Sequence, residues 1–134
     1  MNVTGPIKVI IAANATANAL LNGRVYPGVI DNGKGFPAVA VTRAGTEANA
    51  TKTGVSGVDF VRVQLDIYGR TYGEAETVSE AVRTALDYYS GSVTSGSDTV
   101  NVDHIDYLGT IDNFEDAPEL HRVIAEYMVH IKRW

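Results

Sequence analysis

Cysteine is absent from the 134-residue chain. Its absence excludes a disulfide framework, a thiolate zinc site, an iron–sulfur cluster and a cysteine nucleophile, and leaves the redox compartment open. Basic runs are missing too. Eleven Lys and Arg stand against sixteen Asp and Glu, a formal net charge of −5, and the longest basic run is Lys132-Arg133. Proteins that grip phosphate backbones do so with clustered cations, so sequence-specific nucleic-acid binding is not expected. An acidic surface suits DNA that slides past without sticking. Near the start, the apolar run Val9 to Ala13 is broken by Asn14 and Asn18, whereas a membrane helix needs roughly 20 apolar residues. Only Lys8 precedes that run, and no small-residue cleavage site clearly closes it, so no targeting signal is recognised. The expectation is a soluble product of the cytoplasm with no membrane partner.

The signatures of catalysis are also wanting. In Ile67 to Val82, IYGRTYGEAETVSEAV, two glycines bridge a strand-like and a helix-like segment, as in phosphate-cradling turns. A Walker loop has four residues between its glycines followed by Lys-Ser/Thr. Here Gly69 and Gly73 bracket three residues, and Glu74 occupies the place of the lysine. A carboxylate there competes with phosphate for the helix N-terminus, and Tyr72 sits where a dinucleotide fingerprint needs close backbone approach. The same residues fit a capping box: Thr71 accepts from the amide three residues on, and Glu74 reaches back to the Thr71 amide. Gly69 supplies backbone freedom for the turn.

His104, His121 and His130, with Asp103 and Asp106, lack the spacing of a zinc motif and read as structural histidines. Asp112 to Asp116 has the composition of a calcium loop without its sixth-position Gly or distal Glu, and reads as a solvated turn. No Gly-x-Ser-x-Gly elbow occurs, residues 94–98 reading as a polar linker, and nothing singles out a carboxylate pair. No catalytic, cofactor-binding or metal-binding residue is assigned, no cofactor is expected, and the protein reads as a non-enzyme.

What is present is a patterned chain of 45% hydrophobic residues, consistent with one domain over residues 1–134. Apolar residues at helical spacing predict a first helix over 6–21, ended by Asn22-Gly23. Residues 24–37 read as a loop rich in Gly and Pro. Residues 38–43 predict a short strand, and 44–57, poor in apolar residues, a long mobile connection. Val61, Val63, Leu65 and Ile67 alternate with polar residues across a strand over 59–68. Ala75, Val78, Ala81, Val82, Ala85, Leu86 and Tyr89 then define an amphipathic helix over 72–89. A polar linker over 90–99 precedes a strand through Val100, Val102 and Ile105, then a polar loop over 109–119. A final strand over 120–134 is long against the usual 5–6 residues. The order αββαββ describes an α+β fold, a largely antiparallel sheet of about four strands packed by two helices.

Several of these pieces recur together in a known family. Gly23-Arg24-Val25-Tyr26-Pro27, Pro37 just before a short strand, the alternating Val61 to Gly69, Thr71-Tyr72 followed by Glu74-Ala75, and Ala81-Val82-Arg83 with Ala85-Leu86 resemble the tail-completion proteins of long-tailed bacteriophages. These are the head–tail joining or tail-terminator proteins. The resemblance implies a virion structural protein of phage or prophage, without catalysis, made in the bacterial cytoplasm. It also implies a homo-oligomeric ring, commonly a hexamer, that caps the tail tube protein and joins it to the head connector. An axial channel would pass DNA without specific binding. The residues alone leave a competing reading open: a small α+β ligand-binding domain or enzyme using acidic and histidine residues around 103–121.

Overall fold

The computed structural model describes residues 3–28, 35–51, 54–96, 98–116 and 119–132. Among them are three helices and six strands: α1 (Thr4–Ala13), α2 (Ala15–Leu21), β1 (Val25–Pro27), β2 (Ala38–Thr51), β3 (Gly54–Gly69), α3 (Tyr72–Leu86), β4 (Gly91–Ser95), β5 (Asp98–Asp116) and β6 (Glu119–Lys132). The α+β class holds, with one sheet of order β1-β2-β3-β6-β5-β4. All neighbouring strands are antiparallel except β1, which runs parallel to β2.

Four strands and two helices were expected in the order αββαββ, and the differences have local causes. The single first helix is two, because Asn14 takes an extended conformation (φ −84°, ψ 118°) and its side chain accepts from the Ala17 amide at 3.0 Å, capping α2. Asn favours such a cap over a helix interior. The supposed loop over 24–37 contains β1, whose three residues pair with Val39, Ala40 and Val41. Arg24 braces this corner: its Nε donates to the Pro37 carbonyl at 2.8 Å and a terminal nitrogen donates to the Leu20 carbonyl at 3.3 Å.

Within the connection expected over 44–57, of which residues 52–53 lie outside the described residues, β2 instead runs to Thr51 and β3 starts at Gly54, in register Ala48↔Asp59 to Thr51↔Gly54. Likewise the 90–99 linker contains β4 and the start of β5, and the 109–119 loop contains the far end of β5, paired with β6 as far as Asp116↔Glu119. In each case backbone pairing forms strand in a segment poor in apolar residues, a signal that composition does not carry. The long last strand is borne out to Lys132.

Alternation puts Val61, Val63, Leu65 and Ile67 of β3, and Val123, Ala125, Tyr127, Val129 and Ile131 of β6, on one buried face. All three helices add to the same cluster, through Ile7, Ile10 and Ile11 of α1, Ala17 and Leu21 of α2, and Val78, Val82 and Leu86 of α3. Helix α1 touches β1 and β2 at one margin and β4 at the other, so the sheet curls around it. The opposite face carries polar and half-buried side chains together with the buried Ala38, Ala40 and Asp66.

Candidate functional site

The joint between β3 and α3 is a capped corner. The Glu74 amide donates to Thr71 Oγ1 at 3.1 Å, as the Thr-x-x-Glu spacing requires. The reciprocal bond shifts by one residue, since Glu74 Oε1 accepts from the Arg70 amide at 2.9 Å, not from that of Thr71. Gly69 acts through space rather than through torsional freedom: a Cβ there would lie 2.6 Å from the Ala75 backbone nitrogen. With the carboxylate of Glu74 in its first turn, the helix start has its own internal anion. Tyr72 reaches across to donate to Asp112 Oδ2 at 3.0 Å, and that bond holds its phenol above the usual tyrosine pKa. Asp112 is thus a residue of β5 tied to α3, where a solvated turn was expected.

The three histidines do not share one fate. His121 lies at the other end of β6, its ring edge-on to Tyr72 with centroids 6.0 Å apart. His104 and His130 face each other across β5 and β6 as a registered pair, rings stacked at 3.8 Å and 17°. Asp106 Oδ2 lies 2.9 Å from His130 Nε2 and 3.4 Å from His104 Nε2. Asp103 Oδ2 accepts from His104 Nδ1 at 2.8 Å, and that hydrogen bond holds the Asp103 carboxyl below its ordinary pKa, with Lys132 3.8 Å away adding to the effect. The ligating atoms of His104, Asp106 and His130 fall within 4.8 Å of one another. No linear spacing signals this trio, because a register shift at Asp103 sets which residues of β5 oppose β6.

Farther along the same face, Gln64 Nε2 donates to Asp66 Oδ1 at 3.0 Å and Arg122 pairs with Asp66 at 3.1 Å. Arg122 also lies over the Tyr68 ring. These groups pair with one another and place no nucleophile beside a base. The depression between α2 and α3 is lined by Asn14, Thr16, Thr77, Glu80, Ala81 and Thr84, a single carboxylate among hydroxyls and amides. Of the residues read as a linker over 94–98, Thr94 and Ser95 end β4 and Asp98 begins β5, paired Thr94↔Thr99 and Ser95↔Asp98, and Gly96 has φ +62°; residue 97 lies outside the described residues.

The sheet margins are more telling. Strand β1 covers β2 only at Val39 to Val41, and β4 covers β5 only from Asp98 to Val102. Past those residues neither margin has a strand partner among the described residues. The bare lengths lie at diagonally opposite corners: β2 toward the end where Val58 meets Lys132, and β5 toward the end where Gly69 meets His121. On β5 this stretch presents Leu108 at 46% and Ile111 at 67% exposure.

No curated protein sequence matches the chain. Among solved structures, a chain described as "Virion of native gene transfer agent (GTA) particle" superposes with a TM-score of 0.77 at 14% identity, over 97% of this chain and 94% of that one. The fold is therefore shared with a virion component. The sequence model of the family described as Tail completion protein gp17 matches residues 8–132, nearly the whole chain and every piece of the motif set from Gly23 to Leu86. The chain belongs to this tail completion protein family, and its place is the tail of a phage-like virion.

Proposed function

We propose that the chain is a non-catalytic ring subunit that caps the tail tube and joins it to the head connector, around a channel for DNA. The observation that carries this reading is the pair of bare strand margins at opposite corners of one sheet. An exposed strand margin offers backbone donors and acceptors to another chain. When two different margins of one molecule meet head to tail, the contact is heterologous and repeats until a rotation closes it into a ring. Six copies is the number the family resemblance suggests. A net charge of −5 on each copy, repeated around a channel, repels DNA and lets it pass without being held. Tail tube protein and head connector are the partners on the two sides of such a ring.

The test is a phage carrying a deletion of this gene, viewed by electron microscopy. Heads without joined tails, together with tails of abnormal length, are expected. Tails of normal length attached to heads in the deletion would overturn the reading.

A further inference from the structure

The histidine pair and Asp106 bring their ligating atoms within 4.8 Å of one another, and a turn of the stacked rings would aim both Nε2 lone pairs at one ion. The two rings stand on adjacent strands in direct register, so the sheet holds them at fixed spacing. Phe60 of β3 packs edge-on against His130 at 4.7 Å and closes one side. His130 is largely buried, while His104 and Asp106 are open to solvent on the other side.

The hydrogen bonding poses a chemical problem. With His104 Nδ1 donating to Asp103, a neutral ring carries its lone pair on Nε2. That lone pair faces Asp106 Oδ2 at 3.4 Å, and the same carboxylate oxygen takes the His130 Nε2 at 2.9 Å. Acceptor facing acceptor is relieved by a positive charge between them, and a metal ion is one way to supply it. Asp103 meanwhile stands where an outer carboxylate stands in a carboxylate–histidine–metal triad, fixing the ring and its tautomer.

We propose that His104 Nε2, His130 Nε2 and an oxygen of Asp106 bind a divalent transition-metal ion, zinc by preference, with water completing the coordination. Two imidazoles and one carboxylate are a borderline donor set that suits zinc and disfavours magnesium and calcium, which take oxygen ligands. Three protein ligands with one open position is the arrangement of an accessible zinc site. The sequence alone reads these histidines as structural, and the strand register is what changes the reading. All the ligands belong to one subunit, so binding does not depend on ring closure.

The test uses the full chain, freed of any purification tag and treated with chelator, titrated calorimetrically with zinc chloride and in parallel with magnesium chloride. One zinc per chain and no magnesium binding are expected. The double variant His104→Ala, His130→Ala should lose zinc binding, His121→Ala should keep it, and Asp103→Asn should weaken it ten- to a hundredfold. Circular dichroism establishes that each variant is folded. Should the double variant not fold, cobalt(II) added to the unaltered chain reports independently: visible bands of a nitrogen- and oxygen-ligated ion that zinc displaces are expected. No zinc binding, equal binding in the folded double variant, or no such bands would overturn the proposal.

Discussion

Tyr127 is the largest side chain wholly out of solvent, yet its hydroxyl finds no hydrogen-bond partner among the described residues. A buried polar group left unmatched costs about 1–3 kcal/mol, so Tyr127→Phe is expected to raise stability by about 1 kcal/mol, read as a higher urea midpoint. Burial, with a smaller contribution from nearby Tyr107, pushes the Tyr127 phenol far above its ordinary 10.0. Above pH 10 the unfolded chain gives up this proton while the folded chain keeps it. The unfolded state then binds fewer protons, so the contribution is whole below pH 10 and is lost as pH rises. Urea midpoints between pH 8 and pH 11 should fall less steeply in Tyr127→Phe than in the parent. The burial of Tyr127 was legible, since it sits on the apolar side of an alternating strand, but its missing partner was not, because that depends on neighbours brought in from β5 and α3.

At the scale of elements, the β3–α3 corner separates two glycines that look alike in the sequence. Gly69→Ala should cost several kcal/mol, since its Cβ would meet backbone at 2.6 Å and the helix start would have to move. Gly73→Ala meets nothing within 4 Å and should stabilise α3 by up to about 1 kcal/mol through helix propensity. Thr71→Ala and Asn14→Ala each remove a cap and should cost about 1 kcal/mol. Chemical denaturation of the four variants ranks them, and a Gly69→Ala protein as stable as the parent would contradict the packing argument. The cap at Thr71 was readable because its partners are three residues apart. The far ends of β2 and β5 were not, because their order comes from pairing with residues such as Asp59 and Leu120 in other strands. The histidine pair was hidden for the same reason: residues 26 apart in sequence meet only through register.

For the whole molecule, the bare length of β5 is the place where assembly and stability part company. Ile111 is exposed, so Ile111→Lys should leave the melting temperature of the isolated chain within a degree or two. On a strand margin a lysine hinders pairing with another chain, so the same variant should fail to complement a phage lacking the gene. A variant that restores infectivity fully would place the contact elsewhere. Family membership was legible from the short motifs strung between Gly23 and Leu86, which are local. The margins that support a ring were not, since they depend on β1 and β4 being too short to cover their neighbours.

Strand β5 behaves like a coded message with two insertions. Val102 faces the helices, then one extra residue at Asp103 flips the phase, so that Ile105 and Tyr107 face them; a second, at Leu108, flips it back, and Thr110 opposes Ala125 on the helix side. Each shift alone would turn the rest of the strand inside out, and the two together restore the frame. The short out-of-phase window between them holds His104 and Asp106, which an unbroken alternation from Val102 would have buried beneath the helices.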